Sequence, residues 1–194
     1  MRGYREVMKG VLWASDLARD LLALPLRRRW NHVQGVASRA HTALTVVGDE
    51  GDLLLAAAFL HDVGYAPNLA ATGLHALDGA RYLSTVDAPP RLVNLVAHHT
   101  CAVLEAELRG LSAELAEFED EGPTVLRDAL WWADMTTDPD GGITTVVDRV
   151  AEIQQRYGPD DIVSCFIRWA WPELEAAVQR TEQRLVAAGI DYEK

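Results

Sequence analysis

The chain has 194 residues, 49% of them hydrophobic, with 18 basic against 29 acidic residues and a formal net charge of −11. That length and apolar content suit one globular domain with a sizeable core and exclude a disordered chain. The acidic balance excludes general nucleic-acid or anionic-membrane binding, which needs clustered Lys and Arg, though a local basic patch still suits a small phosphorylated ligand. Two cysteines, Cys101 and Cys165, lie outside any C-x-x-C pair and fit reduced, buried thiols rather than a disulfide framework. The longest apolar run, Leu53 to Leu60, falls far short of a membrane span of about 20 residues. No leader pattern is evident, so the expectation is a soluble cytoplasmic protein.

Helical periodicity recurs almost everywhere and strand alternation is scarce. Residues 4–23 predict an amphipathic helix closed by Pro25, with Arg27-Arg28-Arg29 after it. The next helix spans about 28–47, with Gly48 as its stop. Residues 52–63 hold eight consecutive apolar residues, the mark of a helix buried all round. A loop with Pro67 leads to a helix over 75–86, and Pro90 opens another over about 90–99. Short helices at 102–109 and 112–119 are split by Gly110, with Ser112 as N-cap of the second. An acidic break over 117–123 precedes a helix over 124–135 carrying Trp131 and Trp132. Residues 143–157 form a further helix stopped by Gly158-Pro159. The last helix opens at Asp160 or Asp161 and is bent or restarted at Trp171-Pro172. The expected architecture is all-α, one domain over 1–194 of about nine or ten helices. Its core covers about 28–140, and residues about 143–190 form a helical packing region.

All six histidines lie between positions 32 and 99. The buried helix delivers His61-Asp62 from its last turn into a low-dielectric place, where unpaired polar groups cost several kcal/mol. A protein partner or a metal must satisfy them, and imidazole with carboxylate suits Mn, Fe, Co, Ni or Zn better than Ca or Mg. His32 and His41 sit on one helix half a turn apart, so they cannot serve the same ion; helix geometry leaves open which is used. His98-His99 ends one apolar helix and Asp134 ends another behind two tryptophans, where a carboxylate needs a partner. Asp138-Pro139-Asp140-Gly141-Gly142 invites a calcium-loop reading but lacks the later acidic ligand and is read as a turn.

The order His32, His61-Asp62, Asp134 resembles the H…HD…D signature of the HD-domain superfamily of metal-dependent phosphohydrolases, which are all-α. The local words Arg29-Trp30-Asn31-His32-Val33, Ala57-Ala58-Phe59-Leu60-His61-Asp62-Val63-Gly64 and Ala133-Asp134 carry it, and they select His32 over His41. His75-x-x-x-Gly79-Ala80 followed by Val96-x-His98-His99 resembles the subset with six ligands and two metals. That resemblance implies a dinuclear site of two divalent transition-metal ions (Fe, Mn, Co, Ni or Zn), with Asp62 between them. His32, His61 and Asp134 would hold one ion. His75 and His98 would hold the other, His98 being preferred on local alignment and His99 its substitute. Tyr65 stands where HD-GYP-like relatives often carry Lys and the di-iron oxygenases His. The Gly-Tyr-Pro motif is missing, which argues against cyclic-di-GMP hydrolysis.

The function so implied is hydrolysis of a small phosphate ester or nucleotide through metal-activated water. Arg29, on nearly the same helix face as His32, is the candidate phosphate clamp. Tyr65 is the candidate for orienting substrate or water, and Asp62 is the catalytic centre. Arg81, also weighed as a phosphate ligand, fits a surface residue. The alternative on the same ligands is a di-iron HD-type oxygenase acting on a small organic substrate; a third reading is a non-catalytic metal- or nucleotide-binding module. The implied partner is a small phosphorylated substrate, with no general nucleic-acid binding and no membrane.

Overall fold

The computed structural model describes residues 10–192. Among these the chain is all-α, and its one β-type pairing is an isolated bridge between Thr137 and Ile143. The helices are α1 (Val11–Leu22), α2 (Arg27–Thr42), α3 (Leu44–Val47), α4 (Gly51–Leu60), α5 (His75–Thr85), α6 (Pro90–Ala97), α7 (Ala102–Arg109), α8 (Ser112–Leu115), α9 (Val125–Met135), α10 (Val146–Tyr157) and α11 (Ile162–Ala187). The part of the first expected helix before residue 10 lies outside the described residues. No helix among them is long and apolar enough to cross a membrane.

α4 is apolar over nearly its whole length. Leu54, Ala56, Ala57, Ala58 and Leu60 are buried, and the helix packs on α1 and α2 and also touches α6 and α9. Ala56, Ala57 and Ala58 lie in its middle, and Leu60 is buried at its C-terminal end. α9 and α11 form the other main contact. Asp128 of α9, fully buried, accepts two hydrogen bonds from Arg180 and one from Arg184, each of 2.8 Å.

Several helix boundaries differ from expectation for identifiable reasons. The 28–47 helix breaks at Ala43, whose N–H bonds the Ala40 carbonyl three residues back and so leaves the α-helical register. The helix expected over 143–157 starts at Val146 because Thr145 caps it, accepting from the Asp148 N–H. Ser112 is the first residue of α8 and gives no capping bond. α8 ends at Leu115, after which the N–H groups of Glu117 and Phe118 bond carbonyls three residues back and leave the α-helical register. α11 runs through Pro172 without a restart. Burial of Leu174, Ala177 and Val178 and the Asp128 ion network on its later turns hold it as one helix despite the lost hydrogen bond.

Candidate metal centre

Three helix C-terminal ends converge on one point. α4 ends at Leu60, α6 at Ala97 and α9 at Met135, so His61, Asp62, His99 and Asp134 lie in or just past a last turn. Helix C-termini carry partial negative charge and favour a cation. α2 adds His32 from its middle, and α5 adds His75 as its first residue.

These residues form two groups, His32, His61 and Asp134 in one and Asp62, His75 and His99 in the other; within each, the ligand atoms lie within 4.8 Å of one another. His32 Nε2 is 3.1 Å from Asp134 Oδ1, and His61 Nε2 is 3.9 Å from the same oxygen. Asp62 stands between the groups. Its Oδ2 is 3.4 Å from His61 Nε2 and 3.8 Å from His32 Nε2, while its Oδ1 is 3.3 Å from His75 Nε2 and 4.0 Å from His99 Nε2.

Backbone carbonyls set the imidazole tautomers. The Nδ1 of His32 faces the Asp138 carbonyl at 2.9 Å, that of His61 the Ala58 carbonyl at 2.8 Å, and that of His99 the Val96 carbonyl at 2.6 Å. A carbonyl only accepts, so each Nδ1 donates its proton. In the neutral ring the Nε2 lone pair then points into the centre. There His32 Nε2 meets the Asp134 carboxylate, His99 Nε2 lies 3.0 Å from the Nε2 of His75, a ring whose tautomer no carbonyl sets, and the buried His61 Nε2 has no hydrogen-bond partner. Acceptors pointed at acceptors in a dry site are unfavourable unless a proton or a cation lies between them. The set of imidazole nitrogens and carboxylate oxygens, with carbonyls holding the outer ring nitrogens, fits a divalent transition metal.

Without a cation the centre is electrostatically divided. Burial disfavours the His61 imidazolium, but the Asp62 and Asp134 carboxylates outweigh it and hold its pKa up at about 9. Burial, with His75 and His61 alongside, pushes His99 down to about 3. Burial alone would raise both carboxyls. Arg29 and His61 instead keep Asp62 well below its ordinary value, and His32 and His61 do the same for Asp134.

Arg29 and Tyr65 lie beside the second group. Arg29 Nη1 donates to Asp62 Oδ2 at 2.6 Å, and the guanidinium sits 4.1 Å from the centroid of the Tyr65 ring. Tyr65 also stacks on His75, with centroids 4.1 Å apart. Burial raises the Tyr65 hydroxyl well above its ordinary range, so it stays a neutral donor.

The preference for His98 over His99 is reversed. His98 Nε2 donates to the Phe118 carbonyl at 2.9 Å, away from the cluster, and His99 takes the inward place. The cause is the turn after α6. Thr100 and Cys101 are consecutive left-handed residues (φ 49° and 58°), a conformation costing roughly 1–2 kcal/mol per non-glycine residue. This turn carries His99 inward and lets Thr100 Oγ1 donate to Asp134 Oδ2 at 2.5 Å. His41 is exposed on the far side of α2, and Arg81 pairs with Glu117 on the surface. Burial pushes the Cys101 thiol up to about 12, consistent with an inert core residue.

Close backbone approaches fix two ligands. A Cβ on Gly35 would lie 2.5 Å from the Gly141 carbonyl oxygen, and one on Gly141 2.5 Å from that of Asn31. This contact seats the 138–142 turn on α2, where the Asp138 carbonyl reaches His32. A Cβ on Gly64 would lie 1.9 Å from the His75 carbonyl oxygen, so only glycine lets the turn after Asp62 sit against the start of α5. The helical word around His32 and the Gly79-Ala80 spacing were visible in the sequence; the role of the 138–142 turn was not.

A cavity of about 70 Å³ opens onto the ligands. α10 supplies much of its wall through Arg149, Ile153, Arg156 and Tyr157, which share one helical face. Residues after 142 therefore do more than pack. Sequence reasoning missed this face, although two arginines flanking an isoleucine on an inward stripe are a usable signal.

The HD-domain family model matches residues 29–153, and the chain belongs to that family, whose members are generally metal-dependent phosphohydrolases. No curated protein and no solved structure gives a significant match.

Proposed function

We propose that this protein is a two-metal phosphohydrolase acting on a small phosphate ester or nucleotide. The observation carrying this reading is the Asp62 carboxylate, whose two oxygens face two separate groups of inward imidazole nitrogens. In this reading His32, His61 and Asp134 would hold one ion and His75 and His99 the other, with Asp62 available to both. Ions bound there would supply positive charge against phosphoryl oxygens and water with a pKa near 7.

The remaining roles belong to the chain. Arg29, held in place by Asp62 and Tyr65, presents a guanidinium to a phosphoryl oxygen. Arg149 lines the same cavity and is buried; its Nη1 pairs with Glu152 while its Nε has no partner, so it adds a second guanidinium to the cavity. The neutral Tyr65 hydroxyl donates to substrate or water. Thr100 keeps Asp134 from rotating out of the site.

The test is to strip the protein, reload it with Mn, Fe(II), Co, Ni or Zn, and follow phosphate release from a panel of phosphomonoesters and nucleotides. Release from at least one, lost in Asp62→Ala, is expected. Full metal occupancy with no ester cleaved contradicts the proposal, and substrate-dependent oxygen uptake would assign the site to oxidation instead.

A further inference from the structure

Beside the metal cavity lies a second pocket of about 370 Å³, sharing Arg29, Tyr65 and Arg156 with it. Arg27, Arg28, Arg29 and Arg156 line it, and no carboxylate does. On a chain of net charge −11 this concentration of guanidinium is out of proportion, and self-repulsion among them disfavours it unless an anion is to be held. Two of the four have strong partners outside the pocket, since Arg28 pairs with Asp140 at 2.9 Å and Arg29 with Asp62. Arg156 has a single ion pair, a 3.5 Å contact to Glu152, which also accepts from Arg149 at 2.7 Å, and its guanidinium lies 4.9 Å from the Tyr157 ring centroid. Arg27 makes no ion pair among the described residues. The pocket also abuts the first turn of α2, where Leu26 offers no side-chain cap to the leading amides; such uncapped N–H groups favour an anion.

We infer that this pocket binds a second anionic group of the substrate, so that the substrate is a phosphoester bearing a phosphate or carboxylate remote from the reacting phosphoryl. The inner cavity is small. A water needs roughly 10–15 Å³ of such space, so the cavity takes a phosphoryl group and few other atoms, and the rest of the molecule extends past Tyr65 into the outer pocket. Arg27 and Arg156 grip its far end from two different helices. This rests on the phosphohydrolase reading of the metal centre.

Binding of non-hydrolysable probes tests it on metal-loaded protein by calorimetry. Alkane-α,ω-bisphosphonates from ethane to hexane are compared with the matching alkylphosphonates, and with ω-carboxyalkylphosphonates to separate phosphate from carboxylate. At least one spacer length should bind about tenfold or more tighter than its alkylphosphonate, the scale of one charge-assisted contact. The double variant Arg27→Gln/Arg156→Gln, on exposed side chains, should lose most of that preference while alkylphosphonate affinity falls far less. Equal affinity for all probes in the wild type, or a preference undiminished in the double variant, overturns the second-anion site and leaves the metal centre standing. Failure of every phosphonate to bind the metal-loaded wild type overturns the phosphohydrolase reading and this inference with it.

Discussion

The two ligand groups are built differently. In the first, His32 and His61 are buried, both have Nδ1 clamped by a backbone carbonyl, and Thr100 holds the second oxygen of Asp134. In the second, His99 is clamped in the same way, but His75 is half-buried and its ring stacks on Tyr65, over which the Arg29 guanidinium lies. Fixing a ligand with hydrogen bonds preorganises it, whereas a stacked ring retains freedom. The first group is therefore expected to bind its ion tightly, and the second to exchange its ion and face the substrate.

The largest effect should come from the residue the groups share. Asp62→Ala should drop metal content below about a tenth of wild type and bring phosphate release to background, because it removes an oxygen from each group and unpairs Arg29. Retained stoichiometric metal by elemental analysis would break the assignment. Next, His99→Ala should lose the second ion alone, while His98→Ala keeps both and lowers stability through its lost Phe118 contact. Metal content measured beside a thermal melt separates the two outcomes.

The glycines sharpen the contrast. Gly35→Ala should push the 138–142 turn away and release His32, weakening the first ion by roughly 10–100-fold, the usual scale for losing an outer hydrogen bond to a ligand. Gly64→Ala should displace His75 and weaken the second ion instead, with added strain of about 1–3 kcal/mol. Equal loss of both ions in either variant, in competition with a chelator, would argue against independent construction.

The smallest effect is a proton. In metal-free protein His61 is held up at about 9, above its ordinary 6.5. Its contribution to stability is therefore fully present below about pH 6.5 and lost as pH rises through 9. At pH 7 a metal taken up by the first group must displace that proton, so calorimetry in buffers of different ionisation enthalpy should record release of about one proton. No release would place the His61 pKa well below 7.

The helical architecture and most of the candidate ligands were legible because each depends on local pattern. The apolar run into His61-Asp62 announces a buried helix end, and the context of His32 sets it apart from His41. The choice between His98 and His99 was not legible. It depends on two left-handed residues, Thr100 and Cys101, which no propensity favours there and which only the surrounding packing imposes. The α10 wall was hidden for a different reason. Arg149 and Arg156 read as ordinary charges on an amphipathic helix until the fold turns that face toward the ligands. Pro172 misled in the other direction, since tertiary contacts of α11 outweigh its local preference.

The most direct test is an anomalous difference map from a crystal of the metal-loaded protein. Two peaks are predicted, flanking Asp62. One should lie within about 2.0–2.2 Å of His32, His61 and Asp134 and the other at the same range from His75 and His99, with the second weaker after brief chelation. A single peak, or a peak coordinated by His98, would contradict the account.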